Sequence, residues 1–158
     1  MPRKSKIIFL SSIIVLLGFL REYLFVNINW IHLTKTIARR NAARDEFNFL
    51  LDWTVGEIVI LKWVLTIIFV ALFTSLTWII IRLAFGNKLY NKITLLVFGA
   101  LLVISGILYV PYVLAGYPIE LYAVIRTLMG LAQSFMPLML LAIVFKFLPQ
   151  VSKNEQEL

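Results

Sequence analysis

Ile58-Val59-Ile60-Leu61-Lys62-Trp63-Val64-Leu65-Thr66-Ile67-Ile68-Phe69-Val70-Ala71-Leu72-Phe73-Thr74-Ser75-Leu76-Thr77-Trp78-Ile79-Ile80-Ile81 is a run of 24 residues in which Lys62 is the only ionisable group. At about 1.5 Å of rise per helical residue, such a run reaches roughly 36 Å. That exceeds the roughly 30 Å of a bilayer's hydrocarbon core. Three more charge-poor stretches flank it: Ile7 to Val26, Ile93 to Tyr117 and Leu121 to Phe145. The pattern predicts an all-α, polytopic integral membrane protein with four antiparallel transmembrane helices. They form one domain over residues 1–149, with an external connection at 27–57 and a disordered cytoplasmic tail at 150–158.

Composition argues the same way. Of 158 residues, 61% are hydrophobic and 15% charged, with a mean hydropathy of +0.94, against about 45–50% and about 25% in ordinary globular chains. A soluble domain of this length could not hide so much apolar surface. The absence of cysteine excludes disulfide frameworks, thiolate nucleophiles, lipobox acylation and cysteine zinc sites. Arg3, Lys4 and Lys6 precede the first apolar run as in a secretory signal, but Gly18-Phe19-Leu20-Arg21-Glu22 puts bulky and charged groups where a peptidase needs small ones. An uncleaved anchor is expected.

Lys and Arg collect in cytoplasmic loops. Arg3, Lys4, Lys6, Arg82, Lys88, Lys92, Lys146 and Lys153 fall on one side, against Lys35, Arg39, Arg40 and Arg44 on the other. Both termini are therefore expected in the cytoplasm. The net charge of +7 reads as attraction to membrane lipids rather than to nucleic acid. Gly86-Asn87-Lys88 and Tyr117-Pro118-Ile119-Glu120 are short turns, Pro118 opening the fourth helix. Within 27–57, Trp30, Leu33, Ile37 and Ala38 recur at helical spacing beside Lys35, Arg39, Arg40 and Arg44, predicting an amphipathic helix in the outer interface. Phe47, Phe49, Trp53 and Trp63 match an aromatic belt.

Charges inside spans are costly unless paired or hydrated. Arg21 and Glu22 come late in the first span, Lys62 early in the second and Arg126 early in the fourth, so all four fall in the outer leaflet. Gln133 and Ser134 lie near the middle of the fourth. Helical faces place Ser11, Gly18 and Glu22 on one stripe, Lys62, Thr66, Phe73 and Thr77 on a second, and Arg126, Gly130, Gln133 and Pro137 on a third. Together they predict a shared polar interior, with Gly99 and Gly106 as a close-approach face. Glu22 is expected to pair with Arg126 or Lys62. Pro111 and Pro137 free carbonyls that Gln133 and Ser134 could satisfy. The surplus of cations invites an anion, a lipid phosphate or a partner's carboxylate. The plainer alternatives are snorkelling of the long cations, and Glu57 and Glu120 folding down to complete the balance.

No catalytic set is expected. His32 is the sole histidine, Asp45 and Asp52 are both in the external connection, and neither a rhomboid-like serine motif nor a phosphate-binding glycine loop is present. No cofactor or metal is expected. Glu22 resembles the single essential carboxylate of small multidrug transporters, which keeps a small transporter or channel as the alternative function.

Leu20-Arg21-Glu22-Tyr23-Leu24-Phe25, together with Arg126 and Gln133-Ser134-Phe135-Met136-Pro137, resembles the small membrane proteins associated with exosortase systems of the F or X type. The Arg and Gln of the second group stand farther apart than in the F type. Exosortases resemble transpeptidases that use Cys, Arg and His, so a chain without Cys is not that enzyme. The resemblance implies a non-catalytic accessory subunit in envelope protein sorting in a bacterial inner (cytoplasmic) membrane, with a membrane-protein partner.

Overall fold

The computed structural model describes residues 2–37, 40–114 and 119–154, with backbone alone at 112–113, 119–123 and 148–154. Ala38, Arg39, Pro118 and the last four residues, all given parts in the sequence reading, lie outside the described residues, as does the side chain of Glu120. The described chain is helical, with no strand: α1 is Arg3–Ile37, α2 Val55–Phe85, α3 Lys88–Leu114, α4 Ile119–Ala132 and α5 Met136–Asn154. A short 3-10 helix, Asp45–Asp52, leads into α2.

Three helices, α1, α2 and α3, are long and apolar enough to cross a membrane, and a fourth crossing exists if α4 and α5 are one bent span. The single fourth helix expected over 121–145 is not found. Its two parts, Val124–Ala132 and Met136–Phe147, meet at 66°. Pro137 has no N–H to give the Gln133 carbonyl, which stops the ladder there. Ser134 then closes the corner: its hydroxyl donates to the Leu131 carbonyl at 2.8 Å and accepts from the Met136 N–H at 3.2 Å. At its far end α5 continues to Asn154, so the backbone of 150–154 is helical.

The external amphipathic helix is not a separate element, because α1 runs on unbroken to Ile37. Asn27, Thr34 and Thr36 could have interrupted it, yet each returns its side chain to a carbonyl four residues earlier, at 2.7, 2.9 and 2.9 Å. Polar residues so absorbed do not compete with the helix. Ile28 and Ile31 on this extension pack with Phe47, Leu50 and Ile58. The Asn27 amide oxygen accepts the Arg44 N–H at 2.9 Å, tying the connection down. Thr54 and Glu57 then open α2 with a capping box, and Gly86 ends it at φ 67°, the left-handed conformation that favours glycine.

The core lies where α1, α2, α3 and the corner after α4 meet: Ile14, Phe69, Val70, Phe73, Ile80, Phe98 and Ala132. A second knot, Ile81, Leu141 and Phe145 with Phe85, Tyr90 and Ile93, joins α5 to the Gly86 turn. Gly99 and Gly106 are not a close-approach face. A Cβ at either, or at Gly18, would meet nothing within 4 Å.

Candidate functional site

The face of α1 that turns inward is Ile14, Arg21 and Ile28, seven residues apart, rather than the stripe of Ser11, Gly18 and Glu22. Two helical turns return a residue to nearly the same azimuth, so Arg21 shares the direction of two isoleucines exposed by 2% or less. Glu22 stands about 100° round the axis, and its side chain is 65% exposed. The small residues drew the expected stripe one position too far.

Arg21 therefore reaches the corner between α4 and α5. Its Nε donates to the Gln133 Oε1 at 3.1 Å, and Gln133 is 2% exposed. A terminal nitrogen donates to Glu22 Oε2 at 3.2 Å. The guanidinium lies over the Phe25 ring at 5.1 Å, and its other terminal nitrogen comes within 3.8 Å of where a Cβ on Gly130 would sit. That is ordinary contact distance, so Gly130 packs against the guanidinium without being required for it.

Arg126 sits one turn before Gly130 on α4, within electrostatic range of Arg21. Lys62, half-buried on α2, feels Arg126 as well. The structure thus joins Arg21 to Gln133 by a hydrogen bond and sets Arg126 within charge range of both Arg21 and Lys62. It does not pair Glu22 with Arg126 or Lys62: among the described residues Glu22 bridges Arg21 alone. Ser134 belongs to the corner's backbone rather than to the charged layer. His32 lies farther along α1, within range of the Lys62 charge.

Glu57 does not fold down to complete the balance. One of its oxygens accepts from the Thr54 N–H at 2.7 Å and from the Thr54 hydroxyl at 2.8 Å, so it is spent in the cap of α2. Among the described residues no cluster of three or more His, Asp or Glu could hold a metal ion. The site offers guanidinium and ammonium donors close together, with the exposed carboxylate of Glu22 beside them.

Sequence reasoning missed Arg3 and Asn27. Arg3 donates to the carbonyls of Leu83 and of Ala84, the latter at 3.0 Å, closing the end of α2 against the start of α1. A cation beside the last turn of another helix leaves no sequence signal. Asn27, 6% exposed, was legible as one of two amides, with Asn29, among apolar residues. Comparison with family models, curated proteins and solved structures finds no match for the chain.

Proposed function

We propose that the protein is a non-catalytic accessory subunit of a bacterial inner-membrane system, its first helix docking a span of a partner protein. The sequence likeness to exosortase-associated proteins makes envelope protein sorting the system of choice. In this reading α4 and α5 cross the membrane as one broken span. The packing of Leu141 and Phe145 on Ile81, Phe85 and Tyr90 supports it, since that packing carries α5 to the Gly86 end. Four crossings with the Lys and Arg bias put both termini in the cytoplasm and the Arg21 layer in the outer leaflet.

The observation that carries the proposal is the setting of Glu22. Its side chain, 65% exposed, stands on a face of α1 made of Leu16, Phe19, Leu20, Tyr23 and Val26, all exposed large hydrophobics. Counting back from Val26, Glu22 is about 6 Å inside the outer boundary. A carboxylate turned toward lipid there is costly. A partner helix bringing a donor to Glu22 and apolar surface to Phe19 and Tyr23 would remove that cost.

A small transporter centred on Glu22 is the second reading. The broken helix beside Arg21 and Gln133 favours it, since discontinuous helices often build substrate sites. The outward aspect of Glu22 counts against it. A photo-crosslinking residue placed at Phe19 or Tyr23 in native membranes should give one discrete protein adduct. The same residue at the exposed Ile104 or Ile107 of α3 should give none. No adduct at the α1 positions, or an identical adduct at all four, would overturn the docking reading.

A further inference from the structure

Arg126 on α4 lies within electrostatic range of both Arg21 on α1 and Lys62 on α2, and a Cβ at Gly130, one turn along α4 from Arg126, would lie 3.8 Å from the Arg21 guanidinium. Against these three cations stands one described carboxylate, Glu22, already bridged to Arg21. Arg126 and Lys62 have no carboxylate within 4 Å among the described residues. Arg21 has directed two of its five N–H donors, to Gln133 and to Glu22. The remaining donors, the Arg126 fork and the Lys62 ammonium are unspent there. Like charges gathered in an apolar layer repel strongly because little water screens them.

We propose that Arg21, Lys62 and Arg126 bind the phosphate of an anionic lipid headgroup at the outer boundary of the membrane. A phosphate supplies the charge the layer lacks, and its oxygens match a guanidinium fork and a point ammonium together. The layer's surroundings select a lipid over free phosphate. Trp63 and Val64, next to Lys62 on α2, and Ile67 about one turn farther in are all exposed, so acyl chains have apolar helix surface to lie on beneath the headgroup. A free ion would have to leave water to reach the same donors. The inference goes beyond the accessory role and holds whether or not a partner covers Glu22.

The test is native mass spectrometry of the full chain in detergent, with phosphatidylglycerol as probe and phosphatidylcholine as control. Wild-type protein should retain phosphatidylglycerol in preference to phosphatidylcholine. The Lys62→Gln/Arg126→Gln double variant should retain about tenfold less, the equivalent of one charge-assisted contact. Lys92→Gln/Lys146→Gln, which removes equal charge far from the layer, should stay within about twofold of wild type on the same scale. Lys62→Arg/Arg126→Lys should keep the lipid, which separates charge from packing. Equal loss in both neutralised doubles, no loss in either, or loss in the charge-preserving variant would overturn the site. Displacement of phosphatidylglycerol by millimolar inorganic phosphate would make it a free-oxyanion site and overturn the lipid assignment. Unchanged lipid with a lost Phe19 crosslink would give the cations to a partner's carboxylate instead.

Discussion

The two ends of the helix group treat their polar residues in opposite ways. At the Gly86 end, Arg3 rests on the terminal carbonyls of α2, and the interior is closed by aromatic rings. Tyr90 stacks on Phe145 with centroids 4.2 Å apart, and Phe85 meets both edge-on. At the other depth Arg21 enters the interior and is held by a buried amide, with Arg126 and Lys62 nearby. One end spends Arg3 on backbone carbonyls that the helix itself leaves unpaired. The other gathers cations where the described carboxylates fall short. Packing closes the first end, and the second keeps an unmet demand for negative charge, which is the physical basis for a binding role there.

The largest effect expected from this contrast is at the aromatic end. Phe145 is 0% exposed, and Phe145→Ala should cost about 2 kcal/mol, the cavity term alone, because lipid is as apolar as the site being emptied. Unfolding in mixed micelles, followed by circular dichroism, would measure it. A loss near zero would mean that α5 does not pack on the Gly86 turn, and the two ends would then differ less than the contacts indicate.

A smaller effect sharpens the polar side. Arg21→Gln and Gln133→Leu, singly and together, should show a coupling of about 1 kcal/mol, since interhelical polar contacts in membranes are modest. Glu22→Gln with Arg126→Gln should show close to none, because Glu22 bridges Arg21 instead. The reverse ranking would restore the Glu22–Arg126 pair expected from the sequence and undo the placement of Arg21 at the corner.

Much of the fold was legible because lipid imposes a simple rule on α1, α2 and α3: long apolar runs without charge become long helices. The corner was only half legible. Pro137 marks where a ladder must break, but the size of the bend depends on Ser134 taking over the Leu131 and Met136 groups, which spacing does not reveal. The helix around Trp30 to Ile37 was expected, but its continuity with the first span was not, because the external connection is expected to begin at Asn27, whose amide here bonds to the helix's own Tyr23 carbonyl. In the candidate site, that Arg21, Lys62, Arg126 and Gln133 are polar groups needing partners was legible from residue type alone. The partner of Glu22 was not, since azimuth in the helix separates Arg21 from Glu22 and small residues are a poor guide to it when no neighbour touches them.

The most direct measurement is the sidedness of single cysteines, free of background because the chain has no cysteine of its own. Asn41→Cys, Asn87→Cys and Ser152→Cys would each be exposed to an impermeant thiol reagent on intact cells. The account predicts that the cysteine at 41 reacts and those at 87 and 152 do not until the membrane is opened. Such a result places the Arg21 layer in the outer leaflet and makes α4 and α5 one broken crossing. Labelling at 152 from outside would contradict the crossing, and labelling at 87 with protection at 41 would invert the molecule and move the charged layer to the cytoplasmic leaflet.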